Sequence, residues 1–131
     1  GRAAAGVRGM KLGKGDEIIG MGIARKAQKE SDLSLMVLSS TGYGKQTALK
    51  EFKIQKRGGS GIKAASVTDK TGALMAARIL DPEKEELVVV SKKGQVIRCG
   101  IDEIPNLGRS TQGVRIMKLR VGDGIAALIC L

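Results

Sequence analysis

Short apolar stretches rich in Val, Ile, Leu and Met recur about every ten residues along the chain, and Gly, Asp, Asn and Ser separate them. Stretches of this length between turn-forming residues are typical of β-strands. The pattern predicts strands at residues 7–12, 17–25, 34–39, 45–52, 61–67, 73–80, 86–91, 95–99, 114–119 and 125–131. Both prolines, Pro82 and Pro105, fall between these segments, where a missing backbone donor does no harm. The sequence therefore predicts an all-β fold.

Three glycine-containing segments predict tight turns between the strands. They are Thr41-Gly42-Tyr43-Gly44, Lys70-Thr71-Gly72 and Lys92-Lys93-Gly94. Two other connections, at 28–32 and 81–86, are polar and charged, and neither has the composition of an interdomain linker.

The chain repeats itself, and this repeat is the strongest signal in the sequence. Residues 1–12 match residues 108–119, and a third copy of the same glycine-rich motif lies at 57–63. The segments between the copies match as well, since Leu35 corresponds to Leu87. The chain is therefore predicted to be a single fragment, residues 1–131, built from repeat units at approximately 1–56, 57–108 and 109–131.

A repeat unit of roughly fifty residues and four predicted strands has the size of a β-propeller blade. One such sheet cannot bury its faces alone, so neighbouring units must pack side by side. We expect a propeller-like fragment of four-stranded antiparallel blades, about two and a half blades in all. Its ends would expose unpaired strands, and the last two strands would need a partner, so the isolated fragment is expected to self-associate.

Basic residues outnumber acidic ones in the chain. Lys and Arg number 23 and Asp and Glu 13, which gives a net charge of +10. This excess indicates a polyanionic partner, and nucleic acid is favoured over membrane because no amphipathic helix is evident. The cations cluster with the repeat, at 1–15, 45–63 and 109–120, which predicts a continuous basic rim. Lysines scattered for solubility are the alternative, but a solvated surface normally mixes both signs of charge.

The composition excludes several kinds of site. The chain has no His, which rules out Ser-His-Asp or Cys-His catalysis and His-ligated metals. Cys99 and Cys130 form no CxxC motif, and the sequence leaves open whether they pair, although free thiols would suit a reducing cytoplasm. The longest apolar run, 125–131, is too short for a membrane helix. One Tyr and one Phe provide few stacking platforms for single-stranded nucleic acid.

The segment Gln55-Lys56-Arg57-Gly58-Gly59-Ser60-Gly61 resembles the gyrase box, a Gln-basic-Arg-Gly-Gly-basic-Gly heptad of the DNA gyrase A subunit. Residues 42–47 and 108–114 are similar to other repeat motifs in the C-terminal domain of the same protein, and the resemblance covers essentially the whole chain. It implies a β-pinwheel, a propeller-like disc typically of six blades, that wraps duplex DNA around a basic rim. In the gyrase holoenzyme, this wrap supports negative supercoiling by ATP-driven strand passage.

The resemblance also implies what lies elsewhere. The active-site tyrosine, the ATPase and the Mg²⁺ of the holoenzyme would belong to other domains, so no catalytic residue, metal site or cofactor is expected in this chain. The expected partners are duplex DNA, the gyrase B subunit and the rest of the gyrase A subunit. The expected location is the bacterial cytoplasm, at the nucleoid. Ser60 departs from the basic residue usual in the box, and the motif order resembles the C-terminal blades of the domain.

The candidate DNA-contacting residues combine the three motif copies with nearby cations. Glycines allow a close backbone approach to phosphate, and Arg can bind phosphate with two hydrogen bonds. The candidates are Arg2, Arg8, Lys11, Lys45, Gln55, Lys56, Arg57, Gly58, Gly59, Lys63, Arg98, Arg109, Arg115 and Lys118. In the structural alternative, the glycines only connect blades, and the recurring Arg pairs with a recurring acid, Asp16 or Asp123.

Three other functions compete with gyrase-type wrapping. The related C-terminal domain of the topoisomerase IV A subunit has degenerate boxes, whereas the heptad here is well kept. A small basic β-protein that binds structured RNA would not need a repeat of blade length. An enzyme built on a propeller would need paired carboxylates, His or a metal cluster, and the sequence offers none of these.

Overall fold

The computed structural model describes residues 1–131 as strands, single-turn 3-10 helices and connecting loops. The strands, in chain order, are β1 (Ser34–Ser39), β2 (Tyr43–Ala48), β3 (Leu74–Leu80), β4 (Glu86–Ser91), β5 (Val96–Gly100), β6 (Val114–Arg115) and β7 (Ile125–Cys130). The 3-10 turns are Glu30–Asp32, Leu49–Glu51 and Ile101–Glu103. The predicted all-β class is confirmed. None of the helices has the length and apolar character needed to cross a bilayer.

Two antiparallel hairpins, β1–β2 and β4–β5, organise the fold. Each reverses at a glycine in the left-handed region, Gly42 with φ 93° and Gly94 with φ 89°. Residues with a side chain rarely adopt this conformation, so the two glycines determine where the chain turns back. The predicted turns at 41–44 and 92–94 are confirmed, and the third, at 70–72, forms just before β3.

In each hairpin, a serine at the end of the first strand accepts a hydrogen bond that closes the turn. Ser39 Oγ accepts the N–H of Tyr43 at 3.2 Å, and it donates to the carbonyl oxygen of Tyr43 at 3.0 Å. Ser91 Oγ accepts the N–H of Gln95 at 3.0 Å. The pairing register on the other side of each strand shifts at the same serine. The two hairpins are thus built to one local pattern.

Each hairpin is completed by a strand from the following repeat unit. β3 pairs antiparallel with β1, and β7 pairs antiparallel with β4. β6 adds to the far edge of β2, with Val114 opposite Gly44. The result is a four-stranded sheet in the order β3-β1-β2-β6 and a three-stranded sheet in the order β5-β4-β7. The last two predicted strands therefore find their partner within the chain.

Three predicted strands do not form, those at 7–12, 17–25 and 61–67. By the rule that β3 and β7 obey, segment 17–25 would pair with a hairpin one unit earlier, and these 131 residues do not include it. Segments 7–12 and 61–67 have the place in their repeat units that β6 has in the third unit, and β6 pairs with a hairpin two units earlier. The apolar side chains of segment 17–25 stay exposed instead, and Met21 and Ile23 are 86% and 75% exposed.

Two other predicted strands form with different ends. The strand predicted at 114–119 is reduced to β6, because the chain leaves the sheet to bury Met117 in the core. The strand predicted at 45–52 begins earlier, at Tyr43, and ends where the 3-10 turn Leu49–Glu51 starts.

The core lies between the two sheets. Met36 and Leu38 on β1 pack in one fully buried cluster with Leu87 and Val89 on β4. The rest of this cluster comes from the flanking strands and loops: Ala76, Leu80, Ile104, Met117, Ile125 and Leu128.

The two sheets stack front to back. In the repeat, Leu87 and Val89 of β4 correspond to Leu35 and Val37 of β1. The residues that β1 contributes to the shared core are instead Met36 and Leu38. Successive residues of a strand point to opposite faces, so β1 and β4 present opposite faces to the core between them. This arrangement is that of neighbouring propeller blades, in which a blade with a neighbour on each side buries both faces.

The two cysteines lie too far apart to form a disulfide. Cys99 on β5 and Cys130 on β7 both lie opposite Leu87, one on each side of β4. Two strand spacings put their Cα atoms about 10 Å apart, beyond the reach of about 7 Å that a disulfide allows. Both thiols are free, and burial raises the pKa of each, so both stay protonated at neutral pH.

Replacing Met21 and Ile23 together by Lys should reduce self-association of the isolated chain, because the exposed apolar residues of 17–25 have no strand partner. Light scattering should find species larger than one chain for the wild type and a monomer for the double variant. Val121→Lys is the matched control, since Val121 is 98% exposed in a turn outside this segment. A monodisperse wild-type monomer would contradict this expectation.

Candidate nucleic-acid interface

The first and second copies of the glycine-rich motif lie side by side. The N–H of Lys11 donates to the carbonyl oxygen of Gly59 at 2.8 Å, and the N–H of Gly58 donates to that of Gly9 at 2.8 Å. These bonds hold Met10 beside Gly59 in a parallel bridge. The chain that leaves the first copy therefore runs along the second.

The second and third copies meet in the equivalent way. The N–H of Ser66 donates to the carbonyl oxygen of Thr111 at 3.1 Å, and Ser66 holds the place in its unit that Lys11 holds in the first. The guanidinium of Arg109 also donates to the carbonyl oxygen of Lys63 at 3.3 Å. The copies thus form one connected strip, residues 2–11, 55–66 and 108–118, which we call the basic band.

The basic band carries three cations in each copy and no Asp or Glu. They are Arg2, Arg8 and Lys11, then Lys56, Arg57 and Lys63, then Arg109, Arg115 and Lys118. The one ion pair in the chain joins Arg98 to Glu86 and lies outside the band. Because no carboxylate forms an ion pair with a band cation, the strip carries a net positive charge.

The alternative in which the recurring Arg pairs with a recurring acid is wrong. Asp16 Oδ2 accepts the N–H of Gly13 at 3.1 Å. Asp123 Oδ1 accepts the N–H groups of Lys93 at 3.0 Å and Gly124 at 2.8 Å. Asp16 therefore binds a donor in its own turn, Asp123 binds its neighbour and the distant β4–β5 turn, and neither forms an ion pair with an Arg of the band.

The last glycine of each motif copy has the same left-handed conformation, with φ 84° at Gly6, 76° at Gly61 and 85° at Gly113. A residue with a side chain would be strained there. At Gly113 the chain also passes directly against the backbone of Gly44, and a Cβ would overlap the Gly44 carbonyl group. The motif therefore turns in the same way in all three copies.

Alignment on this closing glycine shows that a second cation recurs beside the recurring Arg. A basic residue stands four positions before the glycine and another two positions after it in every copy. The pairs are Arg2 with Arg8, Arg57 with Lys63, and Arg109 with Arg115. The repeat in the sequence makes these positions equivalent, and the shared conformation of the closing glycine agrees with it.

Most of the predicted DNA-contacting residues lie on the surface. Those exposed are Arg2, Arg8, Lys11, Gln55, Lys56, Arg57, Lys63, Arg98, Arg115 and Lys118, and those half-buried are Gly58, Gly59 and Arg109. Arg98 stands apart from the others, because it lies on β5 outside the band and its Nε donates to Glu86 Oε2 at 2.7 Å.

Lys45 must be removed from the predicted interface, because its side chain is fully buried. Its Nζ donates to the carbonyl oxygens of Gly108, Arg109 and Thr111 at 2.6, 2.9 and 2.8 Å, and to Thr111 Oγ1 at 3.1 Å. Burial lowers the pKa of Lys45, and nearby Glu51 opposes that shift. Lys45 therefore anchors the third motif copy to β2 and does not face solvent.

The composition of the basic band limits what it can contact. It contains no aromatic residue on which a base could stack. Its unpaired guanidinium and ammonium groups, together with glycines that admit a close approach, suit the charge and shape of a phosphate backbone. Contacts of this kind position a nucleic acid without reading its sequence.

Comparison with known proteins connects these features to a family. The family described as DNA gyrase C-terminal domain, beta-propeller, matches residues 1–25, 33–81 and 85–131. The DNA gyrase A subunit of Staphylococcus epidermidis is 41% identical over 124 residues, which are 95% of this chain and 13% of that protein. The DNA gyrase A subunit of Pseudomonas aeruginosa is 40% identical over 128 residues, 98% of this chain and 13% of that protein. The chain therefore spans only a small part of these relatives.

Two solved structures share the fold. A DNA gyrase A C-terminal domain matches 76% of this chain and 33% of its own, with a TM-score of 0.69 and 25% identity. The C-terminal domain of a DNA topoisomerase IV matches 97% of this chain and 38% of its own, with a TM-score of 0.84 and 18% identity. The second likeness concerns the fold alone.

Replacing Lys45 by Met should lower the free energy of unfolding by about 1.5–3 kcal/mol, because three carbonyl groups lose a charged hydrogen-bond donor. Urea denaturation measures the change. Lys50→Met removes the same charge from an exposed position and should change the stability by less than about 0.5 kcal/mol. Equal effects of the two substitutions would show that Lys45 does not anchor the third copy.

Proposed function

The chain belongs to the DNA gyrase C-terminal domain family of β-propellers, and on that premise we propose that its basic band binds duplex DNA through the phosphate backbone. The observation that carries the proposal is the set of unpaired cations that recurs in three connected motif copies without a carboxylate among them. Release of the counterions condensed on DNA would supply most of the binding free energy.

The three copies act together in this proposal. The duplex follows the band from one copy to the next, and each copy offers a cation on either side of its closing glycine. Smooth bending of a short duplex costs about 1–6 kcal/mol, and contacts to successive copies would offset this cost. Binding would then favour bent or wrapped DNA over straight DNA, with little preference among sequences beyond their bendability.

Within a complete enzyme, the wrapped segment would support negative supercoiling by an ATP-dependent type II topoisomerase at the bacterial nucleoid. The active-site tyrosine, the ATPase and the Mg²⁺ site would lie in the gyrase B subunit or in the rest of the gyrase A subunit. A role in topoisomerase IV is the alternative. The gyrase role is better supported, since the relatives that are 40% and 41% identical are gyrase A subunits.

Replacing Lys56 and Arg57 together by Ala should weaken binding of an arbitrary duplex and make its salt dependence shallower. Each phosphate contact contributes about 0.9 to the slope of log K against log[salt], so loss of two contacts should reduce the slope by about 1.8. Fluorescence anisotropy over a salt series measures both quantities, and a structured RNA of equal length serves as competitor.

The double variant Lys26→Ala, Lys29→Ala is the matched control, because it removes two exposed cations from outside the band. It should bind DNA with nearly the wild-type slope. Identical behaviour of the two double variants, or stronger binding of the RNA than of the duplex, would rule out a DNA-binding band.

The Lys56→Ala, Arg57→Ala substitutions should also separate two activities when they are placed in an intact gyrase. Negative supercoiling should fall because it needs the wrap, whereas relaxation should survive because strand cleavage takes place elsewhere. Gel assays of both activities test this expectation. Loss of both together, with an unfolded domain, would instead assign the two residues a structural role.

A further inference from the structure

A pocket of about 330 Å³ opens where several turns meet at one end of the four-stranded sheet. The residues that matter here come from the β1–β2 turn, the turn before β3, and the chain from β6 onward. They are Thr41, Tyr43, Lys70, Arg115, Lys118 and Arg120. Arg115 and Lys118 also belong to the basic band, so the pocket adjoins the band and extends beyond it.

The charges around this pocket are unbalanced. Four cations line it, and Asp123 is the one carboxylate among its lining residues. Asp123 Oδ1 accepts the N–H groups of Lys93 and Gly124, and Asp123 Oδ2 is buried without a hydrogen-bond partner. One carboxylate therefore faces four cations, and none of the four is in an ion pair. Like charges that converge on a cavity repel one another unless an anion lies between them.

Tyr43 gives the pocket a fixed wall. The ring is buried, and its backbone is bound on both sides by Ser39 Oγ. Lys70 Nζ lies 5.4 Å from the ring centroid and the guanidinium carbon of Arg115 lies 5.7 Å from it. Arg115 Nη2 also lies 3.4 Å from Tyr43 Oη. Two cations are therefore held against one aromatic ring, beside a hydroxyl that can donate a hydrogen bond.

We propose that this pocket binds a phosphate group, with Arg115 and Lys70 as its cationic ligands, the Tyr43 hydroxyl as a neutral donor, and Arg120 as a further cation of the lining. Its volume exceeds that of one phosphate and leaves room for an attached sugar. Because the pocket adjoins the basic band, the group is a phosphodiester of the bound duplex. This assignment of the source rests on the proposed function, whereas the affinity for phosphate does not.

Tyr43 also makes the pocket observable. It is the one tyrosine of the chain, and there is no Trp, so the intrinsic fluorescence reports on this site alone. The hydrogen bond from Arg115, together with Lys70, lowers the pKa of Tyr43. A bound phosphate would neutralise these cations and raise that pKa toward its ordinary value.

The first test titrates the full chain with inorganic pyrophosphate at constant ionic strength and follows tyrosine fluorescence and tyrosinate absorbance. A saturable fluorescence change and a higher Tyr43 pKa are expected. Lys70→Gln and Arg120→Gln should each weaken this response about tenfold, the effect of losing one charge-assisted hydrogen bond. Lys26→Ala, Lys29→Ala should leave it unchanged. A response that chloride reproduces, or that both pocket variants retain, overturns the phosphate pocket.

The second test repeats the titration with a short duplex and separates the two proposals. A Tyr43 response to DNA that Lys70→Gln weakens supports the phosphodiester as ligand. DNA that binds through the band without any Tyr43 response overturns the pocket's role in DNA binding and leaves the proposed function standing. A response to pyrophosphate in a chain that binds no duplex contradicts the proposed function, and it identifies a free phosphate compound as the ligand.

Discussion

Each hairpin of this chain receives its third strand from the repeat unit that follows, and this exchange fixes the position of everything attached to the units. β3 lies along β1 with Leu80 opposite Ser34, and β7 lies along β4 with Cys130 opposite Leu87. A unit therefore cannot move relative to its neighbour without breaking a ladder of backbone hydrogen bonds. The front-to-back stack of the sheets and the two equivalent junctions of the basic band both follow from this coupling.

Lys45 connects the sheet to the surface that carries the proposed function. A buried ammonium group is costly unless its donors are used, and here carbonyl oxygens of the third motif copy surround it. The same contacts hold the backbone of Arg109 in place while its side chain lies at the junction with the second copy. One cation inside the sheet thus positions a second cation, Arg109, in the basic band.

The sequence was sufficient wherever the structure is local. β1 and β4 have the predicted bounds, because a glycine turn and a short apolar run define a hairpin without reference to the rest of the chain. Segment 17–25 has a pattern as apolar as that of β3, yet it forms no strand, since a strand needs a partner and its partner would come from another unit. The repeat predicted which residues are equivalent, but it could not show with which unit each strand pairs.

The candidate site, too, could be predicted where it depends on local sequence and not where it depends on distant contacts. The motif copies and their cations could be recognised from the sequence, whereas the junctions between copies depend on contacts between residues far apart in the chain. Lys45 was misplaced because lysine is normally exposed, and its sequence neighbours do not show that the third copy crosses this face of β2. Tyr43 was predicted only as part of a tight turn, because the cations beside it come from segments that only the fold brings together.

Because each hairpin pairs with strands from later units, the sheets must also assemble in a fixed order during synthesis. A chain synthesised from its N-terminus completes the β1–β2 hairpin at Ala48, but β3 begins only at Leu74 and β6 only at Val114. At ordinary rates of translation, the two edges of the hairpin wait on the order of seconds for their partners. Throughout that interval they can pair with any other exposed strand. Slower synthesis would lengthen this interval, and with it the exposure of both edges.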